Sequence, residues 1–457
     1  MTKNIVLIGG YGGHDIGDEA MLTTNLINLK RFIPDAEFLA LSPNPEYTSK
    51  FHKVDSDWDI THYLSGFSVT QKEVEPTRIA QDTHELQFQA QQNIFWRILK
   101  FALMSFIRYL KMFGILFNAW IFNKINRTIF LNEEGKRLLN HLRGTNFLFN
   151  VGGGNIKDGF CDRFIIYSIC GIFGKPIIVS GQTIGPFDKW IGRKIAGFFL
   201  NKVDVITLRD TMSISVLEDL GVHKPIIKET ADDAVLLPAI SRAEIKKIFL
   251  TEKIEDHHPL IGINTNAYLK SIMPNRYYEL NEIKQVLADV ADCLISELGA
   301  RIIFIPMDYN ADSDDRVSAY EVLELMKHKD RASIITNGYD DQTLKGIIGQ
   351  LDVGIGLRYH FVVFATTMQV PTIGIFLGEY YKMKIRGILE LMEQEKYALD
   401  FEKISSEEIV DLVKDALQDR EEIKKKLEER TKILGERSLF TIRHAAKLLE
   451  RKGTEVI

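Results

Sequence analysis

Cysteine is nearly absent from this chain. Three occur in 457 residues, Cys161, Cys170 and Cys293. The number is odd and no pair has metal-ligand spacing, which argues against a disulfide scaffold and for a reducing compartment. A basic excess is missing as well. Lys and Arg total 57 against 62 Asp and Glu, a net charge of −5, so no nucleic-acid-binding surface is expected. No apolar run reaches the roughly 20 residues that a transmembrane helix needs. The first such run, Ile5-Val6-Leu7-Ile8, is too short for a signal peptide and reads as a buried strand, which places the chain in the cytosol. Neither G-x-G-x-x-G nor G-x-x-x-x-G-K-[ST] occurs, so the dinucleotide and P-loop fingerprints are both lacking. No cluster of metal ligands is visible either.

What is present is ordinary globular composition, 45% apolar and 26% charged. The length suggests two domains. A strand, a glycine turn and a helix recur. Ile5–Ile8, Phe147–Val151, Pro176–Ser180, Asp204–Leu208 and Pro225–Lys228 form a first set of short apolar strands. Leu260–Asn264, Arg301–Pro306, Ala332–Ile335, Val353–Gly356 and Thr372–Phe376 form a second. Helical patterns such as Glu19–Arg31, Glu282–Leu298 and Ser313–Lys327 lie between them. Runs of this kind suit central strands of parallel sheets. The prediction is an α/β protein of two doubly wound, Rossmann-like domains, 1–240 and 241–457, facing a cleft. The charged terminal helices are grouped with the second domain.

One segment breaks the pattern. Leu86–Asn132 contains no acidic residue but holds Arg97, Lys100, Arg108, Lys111, Lys124 and Arg127 among many Phe and Trp. Arg97/Arg108 and Lys100/Lys111 are eleven residues apart, about three helical turns, so they share one side. This basic, aromatic helix reads either as lying in a membrane interface or as packing on the protein or a second subunit.

Several turns offer chemistry. Gly9-Gly10-Tyr11-Gly12-Gly13 leads into Gly17-Asp18-Glu19-Ala20, where free N–H groups at a helix start suit an anion. The alternative is that Asp18 only caps its helix. Val151-Gly152-Gly153-Gly154-Asn155 requires something to approach the backbone closely, a ligand or a neighbouring loop. Gln182 stands in a similar strand-end loop. Arg209 ends a strand where ligands bind in such sheets, or else pairs with Asp210 or a neighbour. Gly356-Leu357-Arg358-Tyr359-His360 joins a buried strand to a helix and offers a fixed cation and a titratable ring. A buried structural histidine is the other possibility. Tyr381 and Lys384 stand near the start of the next helix.

The ordered set of motifs resembles the polysaccharide pyruvyltransferase family. It comprises Gly10-Tyr11-Gly12 with Gly17-Asp18-Glu19-Ala20, Gly152-Gly153-Gly154, Gly181-Gln182 with Ile184-Gly185-Pro186, and Arg209-Asp210 with Ser215 and Leu220-Gly221-Val222. Thr230-Ala231-Asp232, Gly356-Leu357-Arg358-Tyr359-His360, Val370-Pro371 with Gly374, and Tyr381 with Lys384 complete it. The resemblance implies a glycosyltransferase-B-like architecture. It implies transfer of a pyruvyl group from phosphoenolpyruvate, as donor substrate and without a cofactor, to a sugar of a surface polysaccharide as a ketal. It places catalysis on His360 and Arg358 and donor binding on Arg358 and Arg209, to which the turns themselves add Lys384, Gly12 and Gly13 as donor contacts. Asp18, Asn155 and Gln182 fall to the acceptor or cleft. A lipid-linked acceptor and a peripheral position on the inner membrane face are further expectations. Tyr359 departs from the family's usual leucine, Lys382 from a common acidic residue, and the Leu86–Asn132 insertion from its core. A nucleotide-sugar glycosyltransferase of the same architecture and a non-catalytic glycan-assembly protein are the competing functions.

Overall fold

The computed structural model describes residues 3–65, 94–129, 131–158, 162–255, 257–269 and 277–454. Cys161 and residues 86–93 of the acid-free segment lie outside the described residues, as do the side chains of 94–106.

Two sheets form the scaffold, and every strand pair in them is parallel. The first contains β1 (Lys3–Ile8), β2 (Ala36–Ser42), β3 (Asp55–Trp58), β4 (Phe147–Asn150), β5 (Gly153–Ile156), β6 (Ile177–Ile184), β7 (Val205–Leu208) and β8 (Ile226–Glu229). Its order is β3-β2-β1-β4-β6-β7-β8, with β5 attached to β6. The second contains β9 (Leu260–Asn264), β10 (Arg301–Phe304), β11 (Ala332–Ile334), β12 (Val353–Gly356), β13 (Thr372–Phe376) and β14 (Ala398–Asp400). Its order is β11-β10-β9-β12-β13-β14. Both sheets reverse direction of growth once, between β1 and β4 and between β9 and β12. Such a switch point leaves a crevice beyond the strands' carboxyl ends.

The central strands are largely apolar because both of their faces are covered. Ile5, Leu7, Phe147 and Phe149 point into one core, and Val6, Ile8 and Leu148 into the other. The first of these cores continues without a break into the second sheet, through Ile261, Ile263 and Ile355. The two domains are therefore joined by shared apolar burial as well as by chain connections.

Seven helices matter below: α1 (Ile16–Phe32), α2 (Ile94–Ile125), α3 (Asp162–Ile172), α4 (Trp190–Leu200), α5 (Tyr359–Thr367), α6 (Gly378–Leu391) and α7 (Arg420–Thr454). All nine residues of α5 are buried, in keeping with its largely apolar sequence, and Thr366 and Thr367 donate from their hydroxyls to backbone carbonyls one turn back. The charged stretch between the sheets forms a helix too, Arg242–Thr251, with a Ser241/Glu244 capping box. The terminal helix α7 does not stay with the second domain. Arg420 pairs with Asp352 there, but Ser438 Oγ donates to Asp233 Oδ1 at 2.8 Å and Thr441 meets Thr207 at 2.9 Å in the first domain. Its 35 residues span roughly 50 Å, enough to strap one domain to the other.

Over residues 107–125 of α2, the basic side chains Arg108 and Lys111 are turned towards the protein, while Arg97 and Lys100 lie outside the described side chains. Arg108 pairs with Asp162 of α3, and Lys111 Nζ donates to the Tyr63 carbonyl at 3.2 Å. Ile115 and Ala119, on the same side, are buried. The side exposed to solvent carries Tyr109, Leu110, Phe113, Phe117 and Trp120. No described helix is long and apolar enough to cross a membrane.

Candidate active site

The loops that follow β1, β4, β9 and β12 meet around a cavity of about 240 Å³ between the domains. His360, Arg358, Lys384, Asp18, Asn155 and Gly13 all line it. The sequence spreads these residues over more than 300 positions, and the two switch points bring them together.

The first domain's wall is the turn into α1. Asp15, not Asp18, caps the helix, accepting from Gly17 N at 2.9 Å and Asp18 N at 3.3 Å. Asp18 is thereby free to face the cavity. Burial raises its carboxyl above the usual range, Asp15 adds to this, and His360, Lys384 and Arg209 oppose it. Gly12 and Gly13 do not present free N–H groups. Glu19 folds back from the first turn and accepts from both, at 2.8 and 3.1 Å, while its other oxygen meets His52 Nε2 at 2.7 Å. A donor anion would have to displace that carboxylate, so the loop's donors are already satisfied from within. Gly10 and Gly154 are small because neighbours press on them. A Cβ on Gly10 would lie 2.6 Å from Asp18 Oδ2, and one on Gly154 would lie 2.7 Å from Tyr380 Oη and 3.0 Å from Lys384 Nζ.

Gln182 stands behind the wall rather than in the cleft. It is fully buried in β6, and its Nε2 donates to the Val151 carbonyl at 2.8 Å, bracing the loop that carries Asn155.

The second domain's wall is the β12–α5 junction. Arg358 is the N-cap residue of α5, and its N–H donates to Asn264 Oδ1 at 2.9 Å. Its guanidinium is enclosed by three carboxylates: Asp15 at 3.2 Å, Asp308 at 3.0 Å and Asp315 at 2.8 Å. Asp15 belongs to the first domain, so this cluster ties the domains. Ile16 N to Met307 O (2.9 Å) and Tyr309 N to His14 O (3.2 Å) complete the seam. The Asp308 carboxyl is raised to about 7: burial pushes it up against the pull of Arg358, and Asp15 and Asp315 add to the rise.

His360 follows on the first turn of α5. Its ring fills the space above Gly17, where a Cβ would overlap Nδ1. Its Nε2 lies 3.6 Å from Asp232 Oδ2. That same oxygen accepts from Arg209 Nη1 at 2.6 Å. Burial alone would raise Asp232, but Arg209 and then His360 hold it far below the usual carboxylate range. Arg209 is 1% exposed, donates from Nε to Thr183 Oγ1 at 2.9 Å, and lies 4.4 Å beneath the Tyr359 ring. It is therefore sealed off from the cavity by Tyr359 and cannot grip a donor there without rearrangement. Its partner is Asp232 rather than Asp210, whose carboxylate instead accepts from Ser213. The departure at Tyr359 supplies that aromatic lid.

Lys384, on α6, lies 4.6 Å from the Tyr380 ring and 5.7 Å from the Tyr359 ring. Lys157 stands 3.7 Å over the Tyr380 ring as well. Burial raises the Tyr380 hydroxyl, but Lys384 and Lys157 outweigh it and hold the group below the usual tyrosine range. Tyr380 Oη donates to Gly154 O at 3.1 Å. Lys382 pairs with exposed Glu379 at 3.0 Å and does not line the cavity.

Sequence patterns alone miss Asp15, Asp308, Asp315 and Tyr380, and leave Asp232 as a motif residue without a role. Among the described residues no group of three potential ligands could hold a metal ion. The arrangement offers two lysines for an anionic ligand, Lys384 and Lys157, and an imidazole with a buried carboxyl near it. Arg358 stands in the wall with its guanidinium taken by three carboxylates, of which Asp308 is neutral below about pH 7. The set suits acid–base chemistry on a small anion.

The sequence profile described as polysaccharide pyruvyl transferase matches residues 15–375. A curated relative, the amylovoran biosynthesis protein AmsJ of Erwinia amylovora, is 21% identical over 325 residues, covering 66% of this chain and 74% of AmsJ. Anabaena Alr3699/HepE in complex with UDP-glucose superposes with a TM-score of 0.55 at 10% identity, over 98% of this chain and 99% of that one. A putative UDP-N-acetylglucosamine 2-epimerase from Listeria monocytogenes gives 0.56 at 12% identity, over 100% and 98%. At these identities the likeness is one of fold, the two-domain glycosyltransferase-B type. With its profile match running from the N-cap of α1 to the end of β13, the chain belongs to the polysaccharide pyruvyl transferase family.

Proposed function

We propose that this chain transfers the pyruvyl group of phosphoenolpyruvate to two hydroxyls of a sugar, forming a ketal during assembly of an extracellular polysaccharide. The observation that carries this reading is His360, with Asp232 3.6 Å away, placed with Asp18 in the wall of a cavity that Lys384, Lys157 and the carboxylate-paired Arg358 also line. The donor presents a carboxylate and a phosphate, which Lys384 and Lys157 match and which Arg358 can join once Asp308 is protonated. A proton from His360 goes to the methylene carbon. One sugar hydroxyl bonds to the adjacent carbon, with Asp18 or Asn155 holding the acceptor. The bond from that carbon to the phosphate oxygen breaks, and the second hydroxyl takes its place. Two hydroxyl protons are released, one offsetting the proton placed on the methyl carbon, the other leaving with phosphate. Arg209 and Asp232 act as positioning residues, fixing the charge and orientation of His360.

Incubation of the purified protein with phosphoenolpyruvate and acceptor oligosaccharides tests this, read as phosphate release and as a pyruvate ketal in the product's mass spectrum. Turnover of a nucleotide sugar instead, with no phosphate released from phosphoenolpyruvate, would assign a glycosyltransferase.

Two substitutions probe the geometry. Gly17→Ala places a methyl where the His360 ring stands, although alanine is the better helix former by about 1 kcal/mol. Turnover should fall on the order of 100-fold with the fold intact. In a His360→Ala background the same change should cost almost nothing further, because the clash is gone. Comparing kcat across the four proteins checks this.

The other substitution concerns pH. Asp308, with its carboxyl raised to about 7, is neutral below that pH and charged above it. As pH falls from about 8 to about 6, one of the three carboxylates on Arg358 is neutralised. Affinity for phosphoenolpyruvate should rise on the order of tenfold across that window. Asp308→Asn removes this titration, so calorimetry at a series of pH values should give a flatter profile for the variant than for wild type.

A further inference from the structure

One face of the first sheet is covered by α2, α3 and α4, whose inward residues Ile115, Ala119, Ile165 and Ala196 join Val6, Ile8 and Leu148 in one core. The outer surface of this helical layer is unusual. On α2, Phe113 is 73% exposed, Phe117 56% and Trp120 53%, with Tyr109 and Leu110 beside them. The spacing 109, 113, 117, 120 puts these on one side of the helix. On α4, Trp190 is 72% exposed, Ile191 53% and Phe198 59%. Scattered exposed apolar residues need no explanation, but large rings grouped on two helices of one layer do.

The charges on these two helices all have one sign. α2 has no acidic residue, and none occurs from Lys189 to Val203. Lys124, Arg127, Lys189, Lys194 and Lys202 are exposed on or beside these helices, with exposed Asp188 as an acidic neighbour before α4, and Lys202 Nζ lies 4.1 Å over Phe198. We propose that this layer is a docking surface for an anionic lipid bilayer, with the rings in the headgroup boundary and the lysines on lipid phosphates. A second copy of the chain fits poorly: a two-fold contact would set one basic rim against another, with no acidic side chain on either helix to answer it. A neutral apolar partner leaves the lysines unused. A bilayer with anionic headgroups satisfies both features at once.

The position of the layer adds to this. Arg108 of α2 holds Asp162, and Asp162 lines a second cavity of about 340 Å³ with Arg163, Asp59, Asp18 and Asn155. Asp18 and Asn155 are shared with the candidate active site. A sugar carried on a membrane lipid would therefore reach the site along the edge of the docked face. The docking itself rests on surface chemistry and does not depend on the identity of the donor.

Co-sedimentation of the full chain with phosphatidylcholine vesicles, with and without phosphatidylglycerol, tests it. The wild type should sediment only with the anionic vesicles, less so as salt is raised. Each basic residue near such a surface is worth about fivefold in partitioning, so Lys189→Gln, Lys194→Gln and Lys202→Gln together should lower it about 100-fold. Phe113→Ser, Phe117→Ser and Trp120→Ser together should abolish what remains. Thermal melting and far-ultraviolet circular dichroism, both unchanged from wild type, show that the variants are folded. Wild-type protein left in the supernatant with anionic vesicles at low salt overturns the proposal. So does equal binding to both vesicle types, or light scattering that shows a dimer split by the ring substitutions with no vesicle binding.

Discussion

His360→Ala should lower turnover about 10²–10⁴-fold at saturating phosphoenolpyruvate, the range that a positioned acid or base contributes. The KM for the donor should move far less, because the cations of the cavity wall, Lys384, Lys157 and Arg358, are left in place by the substitution. The fold should survive, since the ring occupies a cavity wall between Gly17 and Asp232 and no helix depends on it. His360→Gln tests whether size alone matters: it fills the space above Gly17 but carries no titratable proton, and should remain as slow as alanine. Single-turnover phosphate release at saturating donor gives the second readout, and both variants should be slowed there to a similar extent. Wild-type kcat in His360→Ala at saturating donor would remove the proton-transfer role and leave the histidine as a packing residue.

Much of the fold can be read from the sequence, and the reasons for the exceptions are physical. Leu260–Asn264, Val353–Gly356 and Thr372–Phe376 coincide with strands because central strands buried on both faces need unbroken apolar runs. β3, with sequence Asp55-Ser56-Asp57-Trp58, and the three-residue β14 are edge strands, so no such run marks them. β5 is Gly153-Gly154-Asn155-Ile156, which reads as a turn, and it pairs with the part of β6 that runs on past β4. The exit of α7 to the first domain is equally silent, because its buried leucines would suit either sheet.

The site divides along similar lines. Arg358, His360, Asp18 and Lys384 stand at strand ends or helix starts, where an α/β fold builds sites, and the structure brings them into one cavity. The carboxylates around Arg358 have no such marker. Asp15 satisfies an ordinary helix-cap pattern and Asp315 falls in a first turn. Asp308 sits in the loop after β10, and the convergence of all three depends on tertiary packing. Gly12 and Gly13 carry the composition of an anion-binding loop, yet Glu19 in the following helix occupies their N–H groups. Arg209 has the right position in the strand, but its side chain turns inward under Tyr359.

That inward turn decides what Arg209→Ala should do. A donor-gripping arginine would, when removed, weaken phosphoenolpyruvate binding and leave stability alone. Here the guanidinium is 1% exposed and neutralises Asp232, which is fully buried. Removing one partner of a buried pair strands the other charge, at a cost of about 3–5 kcal/mol. Arg209→Ala should therefore unfold at markedly lower denaturant concentration, and should lose turnover because His360 loses the fixed charge that orients it. Arg209→Met with Asp232→Asn, which removes both charges and keeps the volume, should recover much of the stability and little of the turnover. The pH dependence gives an independent check. Asp232 is held far below its unfolded value of about 3.9, so its contribution is fully present above that pH and is lost as pH falls from there towards the folded value. The stability gap between wild type and Arg209→Ala should accordingly be widest near neutrality and narrow below about pH 4. Urea titrations at a series of pH values measure the gap. A constant gap, or unchanged stability with weakened donor binding, would place Arg209 in the cleft instead of beneath it.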